Sequence, residues 1–496
     1  MRIIVFGSNG MLGKYICRYL ELQGHTILKF TRNDFNIYSE CVKGTLETSL
    51  SLMLSIHKPK YVVNCSGVIN KRLELSLSEM YFVNSYFPII LATLCNNLNI
   101  GLIHPTTDCV YSGKKGLYTK NDLPDCTGDY ALSKFLGEKM PFTPSTNLCV
   151  LRSSIIGEEF DNSRSLVSWV LANKDKTIDG YTNQIWNGIT CFEYAKLIDK
   201  IINDKGWNGV YHIRSSFRTN KCLSKYELVK LISDVYNLNV SVNPIQSPDS
   251  HNRSLDSDIV LQDIETQLKE MRAFGIYLRK NIVHMPNNFS VVPGKDIVFI
   301  SSTIHAKSAY TPDERFEQTL KTIESARKMV PGCKIVMIEM TKIKVDWILK
   351  LSDLCDQLIL CGDDQEFQIC NQLGKSMGET TLTKLFFQNI SDDTEMVYKI
   401  SGRYFMTDQF KPEDMKRDKI NFLPSDRCVH TTFYSVSKPF FKIMPDILTR
   451  IQHFVINPSN DIEHGYWLFV PQEDIHFLQK LNCQGYWSVN KTFYDM

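Results

Sequence analysis

Short apolar runs alternate with helix-length amphipathic stretches along the first part of the chain. The runs have the length of strands, whereas apolar residues in the longer stretches recur with the 3.6-residue period of a surface helix. The predicted strands are Ile3–Phe6, Thr26–Phe30, Tyr61–Asn64, Gly101–His104 and Cys149–Arg152, and the predicted helices are Met11–Gln23, Glu79–Asn97 and Tyr130–Lys139. This alternation predicts an α/β fold with a doubly wound parallel sheet, whose ligand site lies at the carboxyl ends of the strands.

The pattern changes beyond residue 200. A short strand is predicted at Gly209–Ile213, an amphipathic helix at Ser224–Tyr236 with Ser224 as a candidate N-cap, and a long helix from about Asp258 to Lys280. Residues 285–294 are polar and rich in Asn, Pro and Gly, which predicts a break in regular structure. We therefore expect a first domain over residues 1–285, with a small substrate-binding subdomain, and a second domain over residues 295–496.

Strands and helices alternate again after this break. The sequence predicts strands at Asp296–Ser301, Lys334–Glu339 and Gln357–Cys361 and a helix at Asp313–Met329. The second domain is therefore also predicted to be α/β.

Composition and charge narrow the class of protein. A chain of 496 residues is too long for one hydrophobic core, and a net charge of +2 without a long basic run argues against nucleic acid as the main partner. The fifteen cysteines stand singly, without zinc-site spacing, which favours reduced thiols and no metal. No apolar run approaches the roughly 20 residues of a membrane span, so we expect a cytoplasmic protein without one.

A glycine-rich loop follows the first predicted strand and opens the first predicted helix. The segment Gly7-Ser8-Asn9-Gly10-Met11-Leu12-Gly13 has three glycines at a spacing of three. Such glycines allow a tight turn and a close approach of backbone to a pyrophosphate, which the helix N-terminus attracts. The loop predicts a Rossmann-type dinucleotide site, with Gly7, Asn9, Gly10, Met11 and Gly13 as candidate cofactor-binding residues.

The residues after the second predicted strand bear on the choice of nicotinamide cofactor. Arg32 would accommodate the 2′-phosphate of NADPH, whereas Asp34 would either favour NADH or cap the following loop. Both NADPH and NADH therefore stay open.

Tyr130 and Lys134 form a Tyr-x-x-x-Lys motif on a predicted helix. Residues four apart share a helix face, so the phenol and the ammonium can reach one pocket, and a nearby cation would lower the pKa of the phenol. Tyr130 could then give its proton to a carbonyl oxygen. A strand upstream ends in the hydroxyl residues Thr106 and Thr107, which could align that carbonyl.

These motifs together resemble an extended short-chain dehydrogenase/reductase, and more narrowly the dTDP-4-dehydrorhamnose reductase family. The resemblance covers roughly residues 1–280. It rests on the glycine loop, the Tyr-x-x-x-Lys motif and, in order, Val63-Asn64-Cys65-Ser66-Gly67, Thr106-Thr107-Asp108-Cys109-Val110-Tyr111-Ser112-Gly113, Leu151-Arg152-Ser153-Ser154-Ile155-Ile156-Gly157, Gly209-Val210-Tyr211-His212 and Arg253-Ser254-Leu255-Asp256.

The resemblance implies roles for individual residues. Thr107, Tyr130 and Lys134 become the catalytic trio, and the implied cofactor contacts are Gly7, Asn9, Gly10, Met11, Gly13, Arg32, Ser66, Gly67, Tyr130 and Lys134. The candidate substrate contacts are Lys71, Asp108, Arg152, Trp186 and Arg253. Lys71 could equally belong to a solvated loop, and Trp186 could equally lie in the core. Cys109 stands where dTDP-rhamnose enzymes carry an aromatic residue, and this resembles relatives that act on UDP-linked 2-acetamido-6-deoxy sugars.

The sequence says less about the function of the second domain. Its phrase Lys399-Ile400-Ser401-Gly402-Arg403-Tyr404 resembles one found in glycosyltransferase-like (GT-A-like) domains, which implies that Lys399 and Arg403 face a donor diphosphate. The domain has no Asp-x-Asp metal motif, so a degenerate or purely structural domain is a second interpretation.

The sequence thus predicts NAD(P)H-dependent reduction of the 4-keto group of a UDP- or dTDP-linked 6-deoxyhexose for glycan biosynthesis. The alternatives are a nucleotide-sugar epimerase with tightly held NAD, a glycosyltransferase with a vestigial reductase domain, and an NADP-sensing scaffold. An acceptor glycan at the second domain and a homodimer are further expectations. The exact sugar, its stereochemistry and the oligomeric state are left open.

Overall fold

The computed structural model describes residues 1–69, 76–160, 164–204, 206–217, 222–257, 259–279, 281–283, 289–306, 308–425, 428–457 and 459–486, and the backbone of 493–495. The chain divides into two compact units, Met1–Leu278 and Arg279–Met496. In this described part of the chain, no helix is both long and apolar enough to cross a membrane.

The first unit is built on a seven-stranded parallel sheet. The strands of this unit are β1 (Arg2–Phe6), β2 (Thr26–Phe30), β3 (Tyr61–Asn64), β4 (Gly101–Thr106), β5 (Leu148–Arg152), β6 (Ile155–Ile156), β7 (Thr177–Tyr181), β8 (Gln184–Trp186), β9 (Ile189–Thr190), β10 (Gly209–Ser216), β11 (Leu223–Ser224), β12 (Ser241–Ile245), β13 (His251–Asn252) and β14 (Ile259–Asp263). The sheet order is β14-β10-β5-β4-β3-β1-β2, and every pairing is parallel. The chain passes from β1 to β2 on one side and returns to β3 on the other, so the order reverses at β1. The predicted doubly wound parallel sheet is confirmed.

Helices cover both faces of this sheet. They are α1 (Met11–Leu22), α2 (Ile37–Lys43), α3 (Leu46–His57), α4 (Leu77–Tyr81), α5 (Phe87–Asn97), α6 (Asp129–Gly137), α7 (Leu166–Ala172), α8 (Cys191–Asn203), α9 (Lys225–Tyr236) and α10 (Ile264–Gly275). Ile3, Ile4 and Val5 of the first strand are fully buried, because side chains on both faces of a parallel sheet are covered. Ser224 caps α9 and forms a capping box with Glu227, as the sequence predicts.

Two predicted helices have different bounds in the structure. The stretch Glu79–Asn97 is not one α-helix, because a π-helical segment, Phe82–Tyr86, separates α4 from α5. The stretch from Asp258 to Lys280 begins with a strand, β14, which pairs in parallel with β10. Asp263 then caps α10, since its carboxylate accepts a hydrogen bond from the backbone N–H of Glu265.

Short strands of the first unit form small sheets outside the main one. They are ordered β11-β8-β13, β12-β7 and β6-β9. The small substrate-binding subdomain stays a prediction.

The second unit has a mixed eight-stranded sheet. Its strands are β15 (Ile282–Val283), β16 (Asp296–Ser302), β17 (Lys334–Glu339), β18 (Gln357–Leu360), β19 (Met396–Ser401), β20 (Tyr404–Met406), β21 (Ile420–Phe422), β22 (Pro424–Ser425), β23 (Cys428–Val429), β24 (Phe433–Ser437), β25 (Ile475–Phe477), β26 (Cys483–Tyr486) and β27 (Phe493–Asp495). The sheet order is β15-β18-β17-β16-β19-β24-β21-β25. The five strands from β15 to β19 are parallel, whereas β24 runs antiparallel to β19.

The helices of the second unit are α11 (Pro312–Met329), α12 (Val345–Leu354), α13 (Gln365–Gln372), α14 (Lys375–Gln388), α15 (Met444–Val455) and α16 (Ile462–Phe469). Helices and strands alternate through the parallel part of the sheet, so the predicted α/β class of the second unit is confirmed. Its predicted GT-A-like resemblance stays a prediction.

Candidate active site

The glycine loop closes tightly against its neighbours. Gly7 has a φ of +71°, and a Cβ atom there would lie 2.7 Å from the carbonyl carbon of Cys65. A Cβ atom on Gly13 would lie 2.2 Å from the carbonyl oxygen of Gly7. The backbone N–H of Gly10 donates a 3.0 Å hydrogen bond to that same oxygen, and α1 begins at the next residue. The loop therefore needs glycine at both ends of the turn, and it aims a helix N-terminus at the space beside it.

A cavity of about 310 Å³ lies beside this loop, at the point where the strand order reverses. Among the predicted cofactor contacts, its wall contains Gly7, Asn9, Gly10, Arg32, Ser66 and Gly67. Met11 and Gly13 lie in the first turn of α1 instead. Bare glycine backbone, a helix N-terminus and a cavity of this size together fit the pyrophosphate half of a dinucleotide.

Arg32 and Asp34 have different surroundings at this cavity. The guanidinium of Arg32 forms an ion pair with Glu79 and keeps 48% of its side chain exposed. The Asp34 carboxylate accepts hydrogen bonds from the backbone N–H and the hydroxyl of Thr31, at 2.8 and 2.6 Å. Asp34 therefore caps the loop after β2. Of the two residues, Arg32 lines the cavity and Asp34 does not.

Thr107, Tyr130 and Lys134 come together where β4 ends against α6. The Thr107 hydroxyl accepts a 3.1 Å hydrogen bond from the backbone N–H of Cys109 and donates a 3.2 Å hydrogen bond to the Asp108 carboxylate. It also lies close enough to Tyr130 to lower the pKa of that phenol. The ammonium of Lys134 donates a 3.4 Å hydrogen bond to the backbone carbonyl of Pro105. Tyr130 and Lys134 both lie on α6, one turn apart.

The protonation states in this cluster differ from the expected ones in one respect. Burial raises the pKa of Tyr130, the neighbouring Cys109 and Asp108 raise it further, and only the hydrogen bond with Thr107 lowers it. Burial also lowers the pKa of Lys134 to about 8, against the attraction of Glu138 and Cys65. The sequence predicts that Lys134 lowers the pKa of Tyr130, but in the structure this pKa is raised and Lys134 is not among the groups that shift it. Tyr130 is a protonated phenol at neutral pH.

Asp108 and Arg253 adjoin this cluster. Burial raises the pKa of Asp108, and the positive charge of Arg253 acts in the opposite direction. The Nε of Arg253 donates a 3.0 Å hydrogen bond to the backbone carbonyl of Tyr111. Asp108 and Arg253 thus form an oppositely charged pair of neighbours next to Thr107 and Tyr130.

Arg152 is engaged within the protein. Its Nε and Nη2 donate to one carboxylate oxygen of Glu138, at 3.0 and 2.6 Å, and its Nη1 donates a 2.9 Å hydrogen bond to the Tyr111 hydroxyl. The same Nη1 lies 3.4 Å from Nε2 of His212. The pair of Arg152 and Glu138 is buried, so the structure assigns Arg152 a structural role where the sequence suggested a substrate contact.

Trp186 and Lys71 complete the predicted substrate contacts. Trp186 is 6% exposed and packs in the main hydrophobic core of the first unit, so the core interpretation holds and stacking on a ligand does not. Lys71 lies outside the described residues.

Comparison with known proteins places this constellation in a family. The model of the RmlD substrate binding domain matches residues 1–285. The chain belongs to this family. The chain is also similar to the probable low-salt glycan biosynthesis reductase Agl14 of Haloferax volcanii, with 27% identity over 226 residues, 43% of this chain and 75% of the relative. It is similar to a dTDP-4-dehydrorhamnose reductase of Aggregatibacter actinomycetemcomitans, with 26% identity over 243 residues, 47% of this chain and 78% of the relative.

The chain is also similar to a solved structure of comparable coverage. It is a dTDP-4-dehydrorhamnose reductase from Bacillus anthracis in complex with NADP, with 18% identity and a TM-score of 0.47, covering 54% of this chain and 98% of that one.

Asn84 is a residue of the RmlD-family unit that the sequence analysis missed. It lies in the π-helical segment and is fully buried. Its side-chain amide exchanges two 2.9 Å hydrogen bonds with the backbone of Val68 and donates a 3.0 Å bond to the Ser133 hydroxyl. Val68 lines the cofactor cavity and Ser133 precedes Lys134, so Asn84 fixes the cavity wall relative to α6. An amide side chain directly after the apolar pair Phe82-Val83 was the available signal.

The RmlD-family match ends before most of the second unit, where two residues were predicted to face a diphosphate. Lys399 is fully buried, forms an ion pair with Glu379 and donates to the backbone carbonyl of Thr431 at 2.8 Å. Lys399 is therefore a core ion pair rather than a ligand contact, which corrects the prediction. Arg403, in contrast, lines a cavity.

Proposed function

We propose that the first unit catalyses the NAD(P)H-dependent reduction of the 4-keto group of a nucleotide-activated 6-deoxyhexose for glycan biosynthesis. The observation that carries the proposal is the meeting of Thr107, Tyr130 and Lys134 at the ends of β4 and α6, together with the glycine-lined cavity. The printed names of the two reductase relatives support the same reaction class.

The cofactor is held by groups that already surround the cavity. Gly7, Asn9 and Gly10 receive the pyrophosphate at the N-terminus of α1, and Ser66 and Gly67 form the opposite wall. Arg32 is placed to exchange its partner Glu79 for a 2′-phosphate, which favours NADPH over NADH. When bound, the reduced nicotinamide supplies the hydride for the carbonyl carbon.

Tyr130 supplies the proton for the carbonyl oxygen. Its raised pKa keeps the phenol protonated until negative charge develops on that oxygen, and the Thr107 hydroxyl orients the phenol and the carbonyl together. Lys134, charged below a pKa of about 8, stabilises the phenolate that remains after proton transfer. The ketone thus gains a hydride at carbon and a proton at oxygen, and Tyr130 is reprotonated from water.

Asp108 and Arg253 are the proposed polar contacts to the substrate. Arg253 is a planar bidentate donor suited to the diphosphate, and Asp108 can accept a hydrogen bond from a sugar hydroxyl. Cys109 stands where dTDP-rhamnose enzymes carry an aromatic residue, and its resemblance to relatives that act on UDP-linked 2-acetamido-6-deoxy sugars favours such a substrate.

Isotope transfer tests the reaction and separates it from epimerisation. We expect NADPH deuterated at its transferable position to give a product sugar that is one mass unit heavier, with one NADPH consumed per sugar. An epimerase would release an unlabelled product and leave the total NADPH unchanged.

A further inference from the structure

A cavity of the second unit lies at the same place in its sheet as the cofactor cavity does in the sheet of the first unit, and it is the larger of these two. The cavity measures about 480 Å³ and lies at the carboxyl ends of β16 and β19, where Ser302, Ser401 and Gly402 form part of its wall. The chain passes from β16 to β17 on one side and returns from β18 to β19 on the other side. The two strands therefore flank the point where the strand order reverses, which is where open α/β sheets bind ligands.

Two buried arginines line this cavity. Arg315 on α11 is 9% exposed and Arg403 after β19 is 7% exposed. Burial, together with the charge of Arg403, lowers the pKa of Arg315 to about 10. The Nε of Arg315 donates a 3.3 Å hydrogen bond to the Ser308 hydroxyl, and the negative charge of Glu339 attracts Arg315. The two buried guanidiniums nevertheless repel each other, so the positive charge that they place in the cavity wall indicates an anionic ligand.

Two carboxylates act on the charged groups of this region. Glu379 pairs with the buried Lys399, and although burial raises its pKa, the cations Lys399, Lys375 and Arg403 lower it overall. Glu339 accepts hydrogen bonds from the backbone N–H groups of Ile304 and Thr341, at 3.1 and 2.9 Å. The cavity wall itself contains three cationic side chains, Arg315, Lys375 and Arg403, and one carboxylate, Glu379, which leaves an excess of positive charge.

A helix N-terminus adds to this excess. The 14-residue helix α14 begins at Lys375, and its N-cap Gly374, with a φ of +124°, lines the cavity together with Lys375. Free N–H groups at the start of a helix bind phosphate oxygens.

We propose that this cavity binds the diphosphate group of an organic diphosphate, such as a nucleoside diphosphate, between Arg315 and Arg403. Guanidinium groups bind phosphate oxygens through two parallel hydrogen bonds, and Lys375 and the start of α14 add positive charge beside them. The volume leaves room for an organic group beyond the phosphates, since small-molecule sites range from about 300 to 1,000 Å³. The site lies within the second unit and does not depend on the proposed reductase activity.

Calorimetric titration of the full chain tests this site. UDP, inorganic pyrophosphate and uridine are titrated separately, with excess NADPH present to fill the cofactor cavity of the first unit. We expect UDP and pyrophosphate to bind and uridine to show no binding. Arg315→Gln and Arg403→Gln should each weaken one UDP binding event at least tenfold, whereas Arg403→Lys should weaken it less because the charge is kept.

Two controls assign the binding event to a unit. Arg253→Gln alters the proposed substrate site of the first unit, and Arg417→Gln removes an exposed arginine of the second unit that pairs with Asp296. Neither control should change the UDP binding that Arg315→Gln and Arg403→Gln weaken. Thermal melting without ligand checks that both glutamine variants of the cavity remain folded. UDP binding that is lost in Arg253→Gln and unchanged in Arg315→Gln and Arg403→Gln would overturn the proposal.

Discussion

The ammonium of Lys134 donates a 3.4 Å hydrogen bond to the backbone carbonyl of Pro105, two residues before Thr107. Lys134 is only 6% exposed, so its charge lies in a poorly solvated environment and burial lowers its pKa to about 8. The position of this charge has consequences for the dependence of activity and of stability on pH.

Turnover should fall as pH rises through about 8, because Lys134 then loses the charge that stabilises the Tyr130 phenolate. The pKa of Lys134 is lower in the folded state than in the unfolded chain, so the unfolded chain binds more protons between the two pKa values. The free energy of unfolding should therefore rise with pH in that range.

Replacing Lys134 with Met should abolish turnover and raise the free energy of unfolding at neutral pH by about 3 kcal/mol. Chemical denaturation and a pH–rate profile measure both effects. The exposed Lys139→Met is the control, and a profile flat up to pH 10 would refute the assignment.

Tyr130→Phe should reduce turnover by about 10²- to 10⁴-fold, because the variant cannot donate the proton. NADPH affinity should change little, since the phenol hydroxyl lies at the carbonyl rather than at the pyrophosphate. Single-turnover kinetics and fluorescence titration of NADPH separate the two quantities. Tyr81→Phe serves as the matched control, because its hydroxyl bonds Asp129 at the exposed start of α6. A Tyr130→Phe variant with parental turnover would remove Tyr130 from the mechanism.

Gly13→Ala should lower both stability and cofactor affinity. The new Cβ would lie 2.2 Å from the carbonyl oxygen of Gly7, so the loop and α1 must separate at a cost of about 1–3 kcal/mol. NADPH affinity should fall at least tenfold as the loop moves. Gly24→Asn is the control, since no atom lies within 4 Å of its Cβ and asparagine tolerates the φ of +82°. Equal effects of the two changes would mean that the tight turn is unimportant.

Arg152→Met should destabilise the first unit by about 3–5 kcal/mol, because it leaves the buried Glu138 carboxylate without its cation. Lys269→Met, which breaks the exposed pair with Glu265, should cost less than about 1 kcal/mol. Denaturant unfolding measures both. An Arg152→Met variant of unchanged stability and raised KM for the sugar would restore Arg152 as a substrate contact.

The glycine loop and the strand–helix alternation could be predicted because both depend on neighbours in the sequence. One turn constrains Gly7, Gly10 and Gly13. The buried parallel strands can be recognised directly from their runs of apolar residues. The location of the cofactor cavity then follows from the order of the strands.

The surroundings of Arg152, Trp186 and Lys399 could not be predicted in the same way. The partners of Arg152 lie 14, 41 and 60 residues away, at Glu138, Tyr111 and His212. Lys399 has its partner Glu379 on another element, 20 residues away. A charged residue in a motif can bind a ligand or a distant side chain, and only the packed structure separates the two cases. The raised pKa of Tyr130 was missed for the same reason, since burial by distant segments sets it.

The most direct test of the reductase assignment is NADPH oxidation by the parent chain and by Tyr130→Phe, with a panel of UDP- and dTDP-linked 4-keto-6-deoxy sugars, each with and without a 2-acetamido group. The proposed function predicts sustained loss of NADPH absorbance with at least one sugar, highest with a UDP-linked one, and its near disappearance in Tyr130→Phe. If the parent chain oxidised NADPH with no sugar of the panel while still binding NADPH, the proposed function would be contradicted.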